Sequence, residues 1–283
     1  MKNFDSIITS ALKDDMPIGD ITTAATVPEG TFATGRFIAK AEGVVCGIDI
    51  ARKTFRITKE LTSCGEAEFK AFFEDGDTVR PGDIIAEIKG DAQCILMGER
   101  TALNLMQRAG GIATAARCAV EAVKGTKAKI TDTRKTMPGL WLLDKYAVRV
   151  GGAVNHRFNL SDGILIKDNH IAAAGGITNA VKAARAYAPH TLKIEVETES
   201  MEQVGEALTA GADIIMLDNM SIELMKEAVE FIAGRAITEA SGGMGSGDKD
   251  LRKVAETGVD LISMGSLTHS VTALDVSLKI VVN

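Results

Sequence analysis

The chain has 283 residues, of which 46% are hydrophobic and 25% are charged, and its formal net charge is −6 at pH 7. This composition excludes a disordered or collagen-like chain, and no apolar run approaches the about 20 residues that cross a bilayer. An acidic chain without a basic run is a poor general binder of nucleic acids, because phosphate contacts dominate that affinity. The four cysteines include no CxxC pair, which argues against a zinc site or a redox dithiol. We expect a cytoplasmic protein with reduced thiols and about two domains.

The N-terminal part of the chain, residues 1–114, is predicted to form a domain with an antiparallel or mixed sheet. Its strand-like segments are residues 35–41, 44–50 and 84–88. They are separated by turn signals such as Asp75-Gly76-Asp77. A helical pattern over 97–124 leads into the next domain, and because Gly110-Gly111 interrupts it, either one helix or two helices with a break fits the pattern. The tail, residues 271–283, is predicted to be a helix that packs back on this first domain.

Residues 115–270 alternate short β-rich apolar runs with amphipathic helices. The runs are residues 128–131, 163–166, 192–196, 213–217, 236–238 and 261–264. Helices are predicted to begin at Ser200, at Ser221 and near Asp248. This alternation predicts a parallel sheet with right-handed crossovers, and six units favour an α/β barrel over an open sheet. Trp141 and Tyr146 lie at helical spacing after the first run and are predicted to be core residues.

Charged residues follow five of the six predicted strands. In an α/β barrel the carboxyl ends of the strands meet at one edge and form the functional site, so this placement argues against a solvated charged face. Five residues at or near these ends form a predicted cationic wall: Arg134, Lys135, His156, Arg157 and Lys167. Charge-assisted hydrogen bonds from such groups contribute about 1.5–3 kcal/mol each. Several of them together predict a ligand with more than one negative group.

Carboxylates and glycine-rich turns follow the remaining strands. Glu197 and Asp218 end the third and fourth predicted strands, and sparse carboxylate ligands suit Mg²⁺ shared with a substrate phosphate. Ser241-Gly242-Gly243 and Gly265-Ser266 follow the last two strands, where α/β barrels bind phosphate through backbone N–H groups. The pattern predicts an enzyme that handles a polyanion together with a phosphate-bearing, Mg²⁺-bound partner.

Motifs spread over the whole chain carry a resemblance to a known family. They are MPIGDITT (16–23), ERTALNLMQRAGGIAT (99–114), DTRKTMPGL (132–140), KYAVRVGGAVNHR (145–157), LIKDNH (165–170), IEVE (194–197), MLDNM (216–220), EASGG (239–243) and MGSLTHS (264–270). Together they resemble the quinolinate phosphoribosyltransferases, also called nicotinate-nucleotide pyrophosphorylases (carboxylating). The resemblance implies an N-terminal α/β sandwich and a C-terminal incomplete α/β barrel, the type II phosphoribosyltransferase fold, in a homodimer or a larger assembly of dimers. It also implies transfer of the phosphoribosyl group of 5-phosphoribosyl-1-diphosphate (PRPP) to quinolinate with decarboxylation, giving nicotinate mononucleotide, CO₂ and diphosphate for NAD synthesis.

The resemblance implies roles for individual residues as well. Lys135, Glu197 and Asp218 are expected to be catalytic, and the two carboxylates are expected near Mg²⁺ that is held through PRPP. Quinolinate is expected to contact Arg100, supplied by the partner subunit, and Thr133, Arg134, Lys135, His156, Arg157 and Lys167. The 5′-phosphate of PRPP is expected to lie against Ser241, Gly242, Gly243, Met264, Gly265 and Ser266. The chain departs from the family at residues 244–250, a segment that is slightly longer than usual and rich in glycine.

Three alternative functions stay open at this point. The first is a paralogue that acts on another acceptor, such as the pyrophosphorylase-like proteins associated with molybdenum transport, although the intact TRK, NHR and IKDNH motifs argue against it. The second is a lyase that forms a Schiff base on Lys167, which would not require a carboxylate-rich metal site. The third is a non-catalytic anion-binding module, which would need the cations but neither Glu197 nor Asp218.

Overall fold

The structure, a computed structural model, describes residues 4–244 and 250–282. The chain divides into two compact units. The first unit takes the chain up to Arg117, residues 137–152 and the tail from Val271, and the second takes residues 118–136 and 153–270. The segment 137–152, which the sequence analysis assigned to the second domain, therefore belongs to the first unit. Helices and strands are numbered below in chain order.

The first unit is an α/β sandwich built on antiparallel strands. Its helices are α1 (Asp5–Asp15), α2 (Ile21–Thr26), α3 (Ile48–Thr62), α4 (Ala92–Ala122, whose last residues enter the second unit) and α5 (Trp141–Val150). Its strands are β1 (Phe32–Ala39), β2 (Gly43–Val44), β3 (Ala67–Ala71), β4 (Thr78–Val79), β5 (Ile84–Asp91) and β12 (Val276–Val282). Four of them form a sheet in the order β12-β1-β5-β3, and β2 pairs with β4. Phe37 of β1 and Phe55 of α3 are fully buried in the core, with ring centroids 6.1 Å apart in an edge-to-face contact.

The tail is a strand, so the predicted helix over 271–283 is wrong. β12 pairs antiparallel with β1, in a register that runs from Ala33 opposite Val282 to Ala39 opposite Val276. Val276, Ile280 and Val281 are β-branched residues, which pack well on a pleated surface. Hydrogen bonds to the edge of β1 stabilise the tail as a strand. Because β1 is far away in the sequence, the residues of the tail alone do not indicate this pairing.

The predicted strand over residues 44–50 is also wrong. β2 is only two residues long, and α3 begins at Ile48. Asp75 Oδ1 accepts the backbone N–H groups of Gly47 and Ile48, each over 2.9 Å. These are donors at a helix start that have no partner within the helix, so the Asp75 carboxylate stabilises the helical conformation of this segment.

Helix α4 runs without a break through Gly110-Gly111, which decides between the two possibilities left by the sequence. A Cβ atom at Gly111 would lie 2.2 Å from the Thr272 carbonyl oxygen, and one at Gly110 would lie 2.9 Å from Leu274 Cδ2. The two glycines therefore let the tail approach the helix closely, and that packing outweighs their low helix propensity.

Trp141 and Tyr146, which are both predicted to be core residues, differ in their burial. Trp141 is 42% exposed at the start of α5, so its assignment to the core is wrong. Tyr146 is half-buried, and its hydroxyl donates to Asp75 Oδ2 over 2.6 Å. Burial and this contact raise the pKa of the Tyr146 phenol above its ordinary value. Asp75 thus forms hydrogen bonds both to the start of α3 and to Tyr146 of α5.

The second unit is an incomplete α/β barrel of six parallel strands, as predicted. The strands are β6 (Lys129–Thr131), β7 (Ile164–Ile166), β8 (Ile194–Thr198), β9 (Ile214–Asp218), β10 (Ile237–Ser241) and β11 (Leu261–Ser263). Its helices are α6 (Asp168–Ala174), α7 (Ile177–Tyr187), α8 (Met201–Ala210), α9 (Ile222–Ile232), α10 (Leu251–Glu256) and α11 (Ser266–His269). The strand order is β6-β11-β10-β9-β8-β7, so β6 and β7, neighbours along the chain, are the two outermost strands.

Helix starts in this unit follow the predicted capping residues. The Ser200 hydroxyl accepts the N–H of Gln203 over 3.3 Å at the start of α8, and Ser221 accepts the N–H of Leu224 over 3.2 Å at the start of α9. Helix α10 begins at Leu251, and the start predicted near Asp248 lies outside the described residues. The same holds for residues 245–249 of the glycine-rich departure from the family pattern. Because the six strands are parallel, their carboxyl ends all lie at one edge of the sheet.

Candidate active site

A cavity of about 850 Å³ opens at the carboxyl ends of the six strands. Of the residues predicted from the sequence, it brings together Thr133, Arg134, Lys135, His156, Arg157, Lys167, Glu197, Asp218, Ser241, Gly242, Gly243, Gly265 and Ser266. Met264 is buried beneath the cavity, where its N–H donates to the carbonyl of Thr131 over 2.9 Å, and it does not line the wall. Arg100 is exposed on α4, which begins in the first unit.

The strand order arranges these side chains by charge. Lys167 follows the edge strand β7, and Arg134 and Lys135 follow the other edge strand, β6. Glu197 on β8 and Asp218 on β9 come next to Lys167 along the sheet. The glycine-rich turns after β10 and β11 lie between the two carboxylates and β6. The cavity therefore has cations after both outermost strands of the barrel, with carboxylates and turns between them.

Asp132 holds the segment that carries His156 and Arg157. Its carboxylate is fully buried and accepts the Asn155 side-chain amide over 2.7 Å and the His156 N–H over 2.8 Å. Arg157 Nη1 in turn donates to the Gly163 carbonyl over 2.8 Å. Burial, together with the nearby charge of Arg134, lowers the pKa of Arg157, although a guanidinium keeps its proton at any physiological pH. The segment is thus fixed before any ligand arrives.

Positive charge on the wall is only partly compensated. Lys167 Nζ donates to Glu197 Oε2 over 2.5 Å, which ties the β7 cation to the β8 carboxylate. Within residues 4–244 and 250–282, Arg134 and Lys135 form no ion pair. Their charges face a concave cavity, where field lines concentrate and attract anions. The wall therefore suits a ligand with more than one negative group.

His156 joins the wall to two buried carboxylates. Its Nδ1 accepts the backbone N–H of Arg157 over 2.8 Å, and its Nε2 faces the two carboxylates. Nε2 lies 3.1 Å from Glu195 Oε2 and 3.7 Å from Glu239 Oε1. Among the described residues, Glu195 Oε1 and Glu239 Oε1 find no hydrogen-bond partner. Burial, and then the charge of Glu195, raise the pKa of Glu239 to about 7, so this carboxyl group gains and loses its proton near neutral pH.

The same three side chains also offer donor atoms that lie within 4.8 Å of one another, which suggests a metal site. A histidine that binds a metal through one ring nitrogen donates a hydrogen bond from the other. Here Nδ1 of His156 accepts a hydrogen bond, so coordination through Nε2 would leave the ring without either proton. The cluster formed by His156, Glu195 and Glu239 therefore suits a shared proton rather than a metal ion.

Glu195, Glu239 and Asn219 also belong to this site, although their roles were not predicted from the sequence. Residues two apart on a strand share a face, so Glu195 lies on the face of Glu197, and Glu239 lies on the face of Ser241. That spacing is the signal that points to the two glutamates. Asn219 and Glu239 line the cavity, and so do the apolar residues Leu165 and Met216, which look like ordinary strand residues in the sequence. His269 also lines the wall beside Gly265, where a Cβ atom would lie 3.0 Å from His269 Cδ2.

These features together define the class of type II phosphoribosyltransferases. They are an α/β sandwich, an incomplete six-stranded barrel, and cations with glycine-rich turns at the strand ends. Within this class, two domain models of one family match the chain. Residues 20–110 match the N-terminal domain of quinolinate phosphoribosyl transferase, and residues 112–279 match its C-terminal domain. The chain belongs to the quinolinate phosphoribosyltransferase family.

Relatives of this chain carry consistent names. A protein of Bacillus subtilis (strain 168), "probable nicotinate-nucleotide pyrophosphorylase [carboxylating]", is 44% identical over 267 residues, 94% of this chain and 90% of that protein. The nicotinate-nucleotide pyrophosphorylase [carboxylating] of Mycobacterium leprae (strain TN) is 44% identical over 277 residues, 96% of this chain and 95% of that protein. The crystal structure of the nicotinate-nucleotide pyrophosphorylase from Ehrlichia chaffeensis has a TM-score of 0.92 at 39% identity and covers 99% of both chains. Within the described part of the chain, no helix has the length and apolar character needed to cross a membrane.

Proposed function

We propose that this protein transfers the phosphoribosyl group of PRPP to quinolinate and releases CO₂ and diphosphate, forming nicotinate mononucleotide. The observation that carries the proposal is the convergence of the family's motif residues in one cavity. That cavity pairs a cationic wall with two carboxylates and two glycine-rich turns. Both substrates are polyanions, so the first task of the site is to hold two mutually repelling molecules side by side.

Quinolinate carries two carboxylates on a pyridine ring. In the proposal they bind Arg134, Arg157 and Lys167, because fork-shaped guanidinium groups match carboxylate geometry. Thr133 and Lys135 complete this part of the wall. The ring of His156 accepts the Arg157 backbone N–H and so supports this part of the wall.

The pyridine nitrogen then attacks C1 of the ribose as the bond to diphosphate breaks. Positive charge builds on the sugar ring in the transition state, and the carboxylates of Glu197 and Asp218 stabilise it electrostatically. Lys135 neutralises charge that develops on the departing diphosphate. In the adduct the pyridinium nitrogen accepts the electron pair released when the adjacent carboxylate leaves as CO₂, and a proton then replaces the carboxylate. The 5′-phosphate lies against Ser241, Gly242, Gly243, Gly265 and Ser266, with Met264 supporting the last turn from below.

The carboxylates that face the cavity fit Mg²⁺ as a cofactor. Mg²⁺ in phosphate-handling sites takes one or two protein carboxylates and completes its shell with water and substrate phosphate. Glu197 and Asp218 line the cavity on neighbouring strands and would supply those ligands. When bound, the ion would supply positive charge that neutralises the diphosphate.

The proposal includes a homodimer, or a larger assembly of dimers, in which Arg100 of one subunit completes the cavity of the other. Its support is that Arg100 is exposed on α4 and belongs to the family motif ERT. All four cysteines are free, which fits the reducing cytoplasm as the place where the enzyme acts.

The alternatives are less well supported. The Lys167 ammonium is paired with Glu197, and an ion-paired ammonium offers no electron pair for a Schiff base. A simple anion-binding module would not need carboxylates facing its own anion site, yet Glu197 and Asp218 both line the cavity. A paralogue with a different acceptor is the remaining competitor.

The test is an assay of the purified protein with PRPP, Mg²⁺ and one acceptor at a time, namely quinolinate, nicotinate or nicotinamide, with products separated by chromatography. We expect nicotinate mononucleotide from quinolinate alone. Asp218→Asn is expected to lose most of the turnover, whereas Lys226→Ala, on the exposed side of α9, is the matched control and should keep it. Product from nicotinate or nicotinamide instead, or bound quinolinate without product, would refute the proposal in favour of a paralogue.

A further inference from the structure

Asn219 adopts an unusual backbone conformation at the mouth of the barrel. Its φ is +54°, in the left-handed region that residues other than glycine rarely adopt. Among the described residues, the other non-glycine residues with positive φ are Ser63 and Ala233. Both are C-caps of helices, α3 and α9, where this conformation is ordinary. Asn219 instead follows strand β9 and lines the active-site cavity, so helix capping does not account for its conformation.

The left-handed turn places Asn219 between two parts of the proposed site. Its side-chain Nδ2 donates to Asp218 Oδ2 over 2.8 Å, which holds one oxygen of that carboxylate. Its backbone N–H donates to the Ser241 carbonyl over 3.0 Å, which joins the end of β9 to the end of β10. The residue thus touches the carboxylate and the turn at the same time.

Gly242 shows how closely the Asn219 amide packs against that turn. A Cβ atom at Gly242 would lie 2.0 Å from Asn219 Oδ1 and 2.6 Å from Asn219 Cγ. Gly242 is itself left-handed, with φ of +86°. Only a residue without a side chain fits there, so the shape of the glycine-rich turn and the position of the Asn219 amide depend on each other.

We propose that Asn219 is a positioning residue that fixes the Asp218 carboxylate and the Gly242 turn relative to each other. The inference rests on the proposed function, in which Asp218 faces the ribose and the turn holds the 5′-phosphate of the same PRPP molecule. Asparagine fits this position for two reasons: it tolerates the left-handed conformation better than most residues, and its amide provides the donor for Asp218. Quinolinate is held in this scheme by Arg134, Arg157 and Lys167, so Asn219 acts on PRPP alone.

The test separates the backbone from the amide with two variants of the full-length protein. Asn219→Gly keeps the left-handed conformation without strain but removes the amide. Asn219→Asp keeps the size and the left-handed tolerance but replaces the N–H donor by a second carboxylate beside Asp218. Ala233→Gly is the matched control, because it changes a left-handed residue outside the cavity. The measurements are the melting temperature, PRPP affinity by calorimetry, and kcat with KM for each substrate.

We expect Asn219→Gly to melt at or above the wild-type temperature, while PRPP affinity and kcat each fall about tenfold, as loss of a hydrogen bond to a charged acceptor predicts. KM for quinolinate should stay within twofold. Asn219→Asp should lose at least as much, and Ala233→Gly should keep wild-type kinetics. If Asn219→Gly does not fold, Asn219→Asp decides the question by the same measurements.

Wild-type PRPP affinity and kcat in a folded Asn219→Gly variant would overturn the inference, and so would a loss confined to quinolinate. Failure of the proposed function looks different. In that case the wild-type protein itself forms no nicotinate mononucleotide, or binds no PRPP, before any variant is compared.

Discussion

His156 Nε2 lies 3.1 Å from Glu195 Oε2, while the other ring nitrogen accepts the backbone N–H of Arg157 over 2.8 Å. The imidazole therefore links the cationic wall to a buried carboxylate. The wall's positive charge comes from its arginines and lysines. Two buried carboxylates that share this ring cannot both stay ionised at low cost, which is why Glu239 holds a proton up to about pH 7.

That proton makes stability depend on pH in a defined direction. Because burial raises the pKa of Glu239 from 4.5 to about 7, the folded state binds the proton more tightly than the unfolded state. The free energy of unfolding should therefore fall, relative to Glu239→Gln, as the pH rises from about 4.5 to about 7. Above pH 7 the difference should be constant, at up to about 3 kcal/mol in favour of Glu239→Gln.

Urea unfolding of both proteins at several pH values measures this difference. Glu230→Gln, a surface change on α9, is the matched control and should show no such trend. A difference between wild type and Glu239→Gln that does not change between pH 4.5 and pH 8 would contradict the assignment of the proton to Glu239.

Arg134→Ala should weaken quinolinate binding about 10- to 100-fold, because a charge-assisted pair contributes about 1.5–3 kcal/mol. Arg134 is exposed to the cavity and forms no ion pair within the described residues, so its removal leaves no carboxylate unpaired. Stability should accordingly stay near that of wild type. Calorimetric titration with quinolinate measures the effect, with Lys226→Ala as the control. Unchanged affinity would remove Arg134 from the wall.

Arg100→Ala and Lys135→Ala should each be inactive alone and should regain part of the activity when mixed. If one subunit supplies Arg100 to the cavity of the other, a mixed dimer contains one site in which both residues are intact. Random exchange of subunits makes half of the dimers mixed, so about a quarter of all sites should recover. Activity assays after denaturation and joint refolding test this, and refolding of each variant by itself is the control. No recovery, in mixtures that size-exclusion chromatography shows to be dimers, would refute the shared site.

Asp144→Ala should destabilise the first unit by about 3–5 kcal/mol, the usual effect of removing one partner from a buried ion pair. Asp144 is fully buried and accepts two hydrogen bonds from Arg108, each over 2.8 Å, and one from the Met137 N–H over 2.9 Å. Glu60→Ala breaks an exposed pair with Arg56 on α3 and should change stability by no more than about 1 kcal/mol. Urea unfolding, followed by the fluorescence of Trp141, compares the two. Equal effects would show that burial of the Asp144 pair does not matter.

Much of the barrel could be predicted because its signals are local. Each parallel strand is a short apolar run, and each of α8 and α9 starts at a serine that caps its own helix. Once the strands are parallel, geometry alone brings Arg134, Lys167 and Asp218 to one edge. The wrong predictions in the first unit concern segments whose structure depends on residues far away in the sequence. The cap of α3 comes from Asp75, 27 residues away, and the tail becomes a strand because β1 offers it an edge.

The family, the fold class and most of the residues that meet at the strand ends could therefore be predicted from the sequence, because residue type and spacing express these directly. Three-dimensional packing alone decided the raised pKa of Glu239, the contacts of the His156 ring and the left-handed turn at Asn219. Each depends on atoms brought together from different strands: Glu195 beside Glu239, the buried carboxylate facing the His156 ring, and Gly242 against the Asn219 amide. Charge and hydrogen bonding act over a few ångströms, and only folding sets which groups come that close.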